Sequence, residues 1–149
     1  MSISQTHILP NYILLKEVCQ LLAQGKTVKL RAKGNSMRPF IRGDIDTLLL
    51  SPPTSFRKGD IVLAKTENGS YIVHRIVKIN TNIVILAGDN NLYQQEKCDK
   101  TNIYGTVNAI IHNGKKHNLS TPSSRLLALL WHNLLPLRRL YHKIKKTQI

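Results

Sequence analysis

Between residues 27 and 119 the sequence is a series of short apolar or alternating segments, separated by glycine, proline, asparagine and serine. In Thr27–Lys33 apolar side chains alternate with basic ones, which is typical of a strand with one buried face. Asn113-Gly114 is the strongest short-range signal for a β-hairpin. Together these segments favour a mainly antiparallel β domain. The predicted strands are Thr27–Lys33, Ile45–Leu50, Ile61–Lys65, Tyr71–Ile79, Ile83–Ala87, Ile103–His112 and Lys115–Leu119.

Helical periodicity is confined to the two ends of the chain. Asn11–Gln24 has apolar residues at helical spacing, and Gly25 is placed to end that helix. Thr121 is a predicted N-cap that begins a second, amphipathic helix, which Pro136 should kink or split. The sequence therefore predicts a β domain over residues 1–120 and a basic amphipathic helical tail over 121–149. The tail's apolar stripe comprises Leu127, Leu130, Leu134, Leu137, Tyr141 and Ile144.

The charge of the chain is concentrated in its last third. The 149 residues carry a net charge of +14, and nine Lys and Arg but no acidic residue follow Asp99. This balance predicts an anionic partner, and residues 125–146 suit an anionic membrane surface. The alternative is that the stripe packs on its own domain or on a second copy of the chain. Nucleic acid is not an expected partner, because no aromatic platform or helix-turn-helix signal accompanies the charge.

Several classes of protein are excluded by what the sequence lacks. A hydrophobic content of 42% is enough for a packed core and excludes wholesale disorder. Cys19 and Cys98 make neither a disulfide framework nor a zinc site, so no metal or cofactor is predicted. The longest apolar-rich stretch, Leu126–Leu137, is far shorter than the roughly 20 residues of a membrane span. We therefore expect a cytoplasmic protein, peripheral at the inner face of the membrane if the helix binds lipid.

Three residues stand out as candidates for chemistry. Ser36 lies in a tight turn directly after a predicted strand, where its hydroxyl and nearby backbone N–H groups can face the same space. His74 lies inside an apolar strand, where a neutral imidazole can act as a base. Asp89 follows Gly88 at a strand end, where a carboxylate could orient a histidine. The alternative interpretation is a turn serine and a core histidine that hydrogen-bonds its surroundings.

Four motifs in order favour the first interpretation. They are Gly34–Pro39 with Gly43-Asp44, then Lys58–Val62, then Val73–Val77, then Ala87–Asn91. In their residues and in their order these motifs resemble those of the signal peptidase and SOS-repressor superfamily of serine peptidases (the S24/S26 type). The resemblance covers about residues 25–112. It implies that family's antiparallel β fold and a serine endopeptidase that cleaves a protein or leader peptide.

The resemblance also implies roles for individual residues. Ser36 matches the nucleophile and His74 the general base, as in the histidine-using branch of the superfamily. The Ser36 N–H matches an oxyanion donor. At the position that corresponds to Gly34, many bacterial members carry a hydroxyl group that serves as a second donor to the oxyanion. In this chain Asn35 or a backbone N–H would have to replace it. Met37 is expected to shape the turn and the substrate pocket.

Two questions stay open at the level of sequence. The acid that orients His74 is Asp89 or Glu96, or the enzyme works as a dyad, because the family's acidic run beyond Gly-Asp-Asn is replaced here by Gln94-Gln95-Glu96. The alternative function is a non-catalytic peptide- or membrane-binding module that retains the peptidase fold. If the site is active, the substrate is expected to bind as an extended strand beside Thr27–Lys33.

Overall fold

The computed structural model describes residues 11–148. Within that range the chain forms three α-helices and eight β-strands, with a 3₁₀ turn at Lys100–Asn102. The helices are α1 (Asn11–Ala23), α2 (Pro122–Asn133) and α3 (Leu135–Thr147). The strands are β1 (Val28–Arg31), β2 (Thr47–Ser51), β3 (Ile61–Lys65), β4 (Tyr71–Ile79), β5 (Ile83–Ala87), β6 (Glu96–Asp99), β7 (Ile103–His112) and β8 (Lys115–Asn118).

All eight strands belong to one antiparallel sheet in the order β1-β2-β7-β3-β4-β5-β6, and β8 pairs with the end of β7. The long strand β7 connects the two halves, because it pairs with β2 along one edge and with β3 and β8 along the other. Asn113 and Gly114 both have positive φ values, 49° and 75°, which the tight turn between β7 and β8 requires. The predicted mainly antiparallel β fold is confirmed.

The core has two parts, which lie on opposite faces of β3. The first lies under α1, whose buried face comprises Leu15, Val18, Cys19 and Leu22 and packs on β1, β4 and β7. The second lies among β3 to β6 and includes Ile76, Leu86 and Cys98. Strand β3 contributes to both parts, since Ile61–Ala64 is buried on both faces. The strands that carry the candidate site are therefore fixed by apolar packing in both parts of the core.

The structure adds one strand to the predicted elements and divides the C-terminal helix as predicted. Strand β6 was not predicted, because Glu96–Asp99 is short and polar and only Cys98 in it is buried. The C-terminal helix divides at Leu134 into α2 and α3, as the prediction of a kink or split at Pro136 requires. Thr121 caps α2 by accepting a hydrogen bond from the Ser124 N–H. The division into a domain over 1–120 and a tail over 121–149 stays a prediction.

Candidate active site

Ser36 lies in a turn that two glycines hold close to the sheet. The Asp44 N–H donates to the Ala32 carbonyl at 2.8 Å and ties the 42–46 turn to the end of β1. A Cβ on Gly43 would lie only 2.0 Å from the Gly34 carbonyl oxygen, so the two turns cross where neither residue has a side chain. Met37 is buried beneath the turn. The position of Ser36 is thus set by backbone contacts on the β1 side.

A second turn holds Ser36 from the β5 side. The Asn90 N–H donates to the Ser36 carbonyl at 2.8 Å. A Cβ on Gly88 would lie 2.5 Å from the Ser36 carbonyl oxygen and 3.1 Å from the Ser36 Cβ. Any larger residue at position 88 would therefore push Ser36 away. The Gly-Asp-Asn motif acts on Ser36 through its backbone.

The side chain of Ser36 faces a histidine that itself faces a carboxylate. Ser36 Oγ is 3.0 Å from His74 Nε2, and His74 Nδ1 is 2.9 Å from Glu96 Oε2. The side chains of His74 and Glu96 are only 8% and 13% exposed. Both distances are within hydrogen-bond range, so the three groups form one continuous chain in a site with little water. A partly exposed serine, a buried histidine and a partly buried carboxylate in this order match the arrangement that activates a hydroxyl nucleophile.

Asp89 has a different partner from the one suggested by its place in the sequence. Arg75 Nε and Nη2 donate to its two carboxylate oxygens at 2.7 and 2.8 Å, and Arg75 Nη1 donates to the Gly59 carbonyl. Both side chains of this bidentate pair are buried. Because the Asp89 carboxylate binds Arg75, the carboxylate that contacts His74 is that of Glu96. Asp89 thereby fixes the turn that holds Ser36, and its expected contact with the histidine is not found.

The C-terminal helices contact the turn after β5, which holds Ser36. The sequence analysis did not predict this contact. Trp131 Nε1 and Arg138 Nη2 both donate to the Asp89 carbonyl, at 2.8 and 2.9 Å, and Arg139 Nε donates to the Leu92 carbonyl at 2.7 Å. Arg138 also stacks over the Trp131 ring, 4.0 Å from its centre. Burial lowers the pKa of the Arg138 guanidinium, and the nearby Asp89 carboxylate opposes that effect. No local pattern links these helix residues to a loop some 40 positions earlier.

A cleft of about 170 Å³ opens beside Ser36 and His74. Its lining comes from α1, β1, β2 and β4, and from the Ser36 turn. A space of this size holds one small to medium apolar side chain. The apolar side chains that line it include Leu15, Leu30, Ala32, Met37, Ile41, Leu48 and Val73.

The remaining predicted site residues surround this cleft. Gly34 lines it, with open space where a Cβ would be. Asn35 uses its Oδ1 to accept a hydrogen bond from Arg38 Nε at 2.9 Å, which fixes the amide next to Ser36. Over residues 11–148, the Ser36 N–H has no hydrogen-bond partner. In the same residues no group of three or more His, Cys, Asp or Glu side chains is arranged to hold a metal ion.

Comparison with known families agrees with the motifs and the fold. The model of the Peptidase S24-like family matches residues 2–108, which is most of the chain and includes Ser36, His74, Asp89 and Glu96. The chain therefore belongs to the Peptidase S24-like family, and the predicted resemblance is confirmed at that level. A search of curated proteins found no match. The family match identifies a peptidase-type fold and does not itself assign roles to the residues.

Proposed function

We propose that this protein is a serine endopeptidase in which Ser36 is the nucleophile, His74 the general base and Glu96 the residue that orients the base. The observation that carries the proposal is the continuous contact from Ser36 Oγ through both nitrogens of His74 to Glu96. The three groups come from a turn and from two strands that β5 separates. A contact between groups so far apart in sequence needs this fold, and family membership independently favours a peptidase.

The carboxylate determines which nitrogen of His74 carries the proton. An ionised carboxylate only accepts hydrogen bonds, so His74 Nδ1 donates its proton to Glu96. His74 Nε2 is then the unprotonated nitrogen and accepts from the Ser36 hydroxyl. This is the tautomer that a general base needs. Glu96 also stabilises the positive charge on His74 after it has taken the serine proton.

The reaction then follows the sequence of an acyl transfer. Ser36 Oγ attacks the peptide carbonyl while its proton passes to His74 Nε2, and the carbonyl oxygen becomes an oxyanion. The Ser36 N–H, which has no partner among residues 11–148, is the donor we assign to that oxyanion. His74 gives its proton to the leaving amine, so the C–N bond breaks and an acyl-serine forms. Water, deprotonated by His74, hydrolyses this ester and restores Ser36.

The cleft defines the substrate class that we propose. One edge of β1 pairs with β2, and its other edge pairs with no strand of the described part of the chain. An extended peptide can add to such an edge by backbone hydrogen bonds. The apolar cleft of about 170 Å³ next to Ser36 would then take the side chain before the cut. Its volume favours a small apolar residue there.

The proposal is tested by trapping the acyl-serine. Purified protein would be mixed with an activated acyl ester, and the intact mass and the modified peptide would be determined. We expect one acyl group per molecule, attached to Ser36, and none in the His74→Ala variant. The matched control is His117→Ala, which changes an exposed histidine outside the site. Acylation that persists in Ser36→Ala, or a mass that never changes, would instead favour a non-catalytic peptide-binding module with the same fold.

A further inference from the structure

We propose that α2 and α3 bind the protein to the surface of an anionic lipid bilayer. The helices lie flat on it, with their shared apolar stripe in the headgroup region. This binding surface is separate from the cleft at Ser36 and does not depend on catalysis. The proposal is carried by the exposure of the stripe, by the attachment of the opposite helix face to the domain, and by the charge at the end of α3.

Apolar exposure in the described residues is concentrated on these two helices. Nine of the fourteen large hydrophobic residues found exposed there belong to α2, α3 or the residue that joins them. Their exposed fractions lie between 44% and 68%. A contiguous exposed apolar face of this kind marks an interaction site rather than ordinary surface. The nine are Leu126, Leu127, Leu129, Leu130, Leu134, Leu137, Leu140, Tyr141 and Ile144.

The opposite face of the same helices is attached to the domain. Ala128 is buried against it, and Trp131, Arg138 and Arg139 donate to the turn after β5. Arg125 forms an ion pair with Asp60 at 2.9 Å. The helix pair is therefore held by one face with the stripe pointing outward, and nothing in residues 11–148 covers it. No helix in this range is long and apolar enough to cross a bilayer, so the fitting geometry is a helix pair lying in the interface.

The positive charge of α2 and α3 favours an anionic surface as the partner that covers the apolar stripe. From Pro122 to Thr147 there are six Lys and Arg and no acidic residue. Three of these six are engaged with the domain, whereas Lys143, Lys145 and Lys146 are exposed at the end of α3. A second copy of the chain would place like charges face to face, which opposes self-association. Anionic headgroups complement the lysines while the acyl boundary receives the leucines.

The proposal is tested by vesicle flotation of the full chain. Phosphatidylcholine vesicles would be compared with vesicles that also contain phosphatidylglycerol, at low and at high salt. We expect binding to the anionic vesicles, weaker binding at high salt, and little binding to pure phosphatidylcholine. The Ser36→Ala variant should bind as the wild type does, which separates this surface from the proposed active site.

Two variants with matched controls identify the surface. Lys143, Lys145 and Lys146 changed to Gln should weaken binding about a hundredfold, at roughly fivefold per charge. The control changes the exposed Lys26, Lys78 and Lys97 to Gln and removes the same net charge elsewhere. We expect the control to bind nearly as well as the wild type.

The second pair of variants tests the apolar stripe. Leu130→Glu with Leu137→Glu should reduce binding about tenfold or more, because both side chains leave the interface. Its control is Ile13→Glu with Leu21→Glu, the same charge change on the exposed face of α1. Equal loss in variant and control, or no binding by the wild type, would overturn the proposal. A concentration-dependent dimer that only the Leu130→Glu, Leu137→Glu variant abolishes would also overturn it, since the stripe would then be covered by a second copy.

Discussion

His74 and Glu96 lie on β4 and β6 with β5 between them, and His74 Nδ1 is nevertheless 2.9 Å from Glu96 Oε2. Strand register explains the contact. Leu86 of β5 pairs with Ile76 on one side and with Glu96 on the other, so all three side chains point to one face. His74 precedes Ile76 by two residues and shares that face. Since β5 ends at Ala87 and Gly88 follows, no side chain from position 88 lies between the histidine and the carboxylate.

Loss of the charge on Glu96 should leave the fold intact and impair catalysis. Glu96→Gln offers an N–H₂ group to His74 Nδ1 and so favours the tautomer that cannot accept the Ser36 proton. We expect turnover to fall by about 10²–10⁴-fold. Glu67→Gln makes the same chemical change at an exposed position and should retain wild-type turnover. Steady-state kinetics on a cleaved peptide would measure both, and equal rates in the two variants would count against a role for Glu96.

The buried pair of Arg75 and Asp89 should act on stability. Asp89→Asn leaves the buried guanidinium of Arg75 without its counter-charge, which costs about 3–5 kcal/mol of unfolding free energy. Asp44→Asn is the matched control, because Asp44 forms an exposed ion pair with Lys33 and its φ of 63° suits asparagine. That control should change stability by less than about 1 kcal/mol. Urea unfolding would separate the two, and equal midpoints would contradict the structural role of Asp89.

Substitution of Gly88 should move the nucleophile. In Gly88→Ala the new methyl group meets the Ser36 backbone oxygen, so the serine turn has to shift out of line with His74. We expect a large loss of turnover in protein that still folds. Gly105→Ala is a fair comparison, because its closest contact is the flexible end of Leu22, away from the site. It should lose stability and keep its turnover per folded molecule, as measured by kinetics alongside circular dichroism.

The two cysteines should be unreactive in the folded protein. Burial raises the pKa of the Cys19 thiol to about 12 and that of Cys98 to about 11. A thiol-exchange reagent near neutral pH should therefore label neither cysteine in native protein and both in urea, because the thiolate is the reactive form. Labelling of native protein at the urea rate would contradict the packing of β6 and α1.

The raised pKa values of the two thiols also determine the direction in which alkaline pH changes the stability of the fold. Above pH 9 the unfolded chain begins to release thiol protons that the folded chain retains, since the folded pKa values are raised. The unfolded state then binds fewer protons than the folded state, so stability falls as pH rises from about 9 to 11. The decline should be less steep in a Cys98→Ala variant, as measured by thermal unfolding across that range.

Much of the fold was predictable because its strands carry their pattern locally. The bounds of Ile61–Lys65, Tyr71–Ile79, Ile83–Ala87 and Ile103–His112 agree with the structure, since each is a β-rich apolar run between turn residues. Strand β6 lacked that pattern. It forms because it pairs with β5 and buries Cys98, which is information held in another part of the chain.

Some residues of the candidate site were likewise predictable from local sequence, and others depend on contacts between distant parts of the chain. The turn serine and the strand histidine are suggested by local sequence and by the order of the motifs. The choice between Asp89 and Glu96 depends on the register of β5 against β6 and on the bidentate hold of Arg75, and neither is visible in a single sequence. The contacts of Trp131 and Arg138 with the Asp89 carbonyl likewise depend on how the last helices fold back onto the sheet.

The most direct test of the account is cleavage of a diverse peptide library by the purified protein, with products identified by mass spectrometry. Wild type, Ser36→Ala and Ser55→Ala would be compared, the last being an exposed serine away from the site. We expect wild type and Ser55→Ala to cut the same peptides after small apolar residues, and Ser36→Ala to cut none. Cleavage by Ser36→Ala at the wild-type rate, or no cleavage by any of the three, would contradict the assignment of Ser36, His74 and Glu96 as a peptidase site.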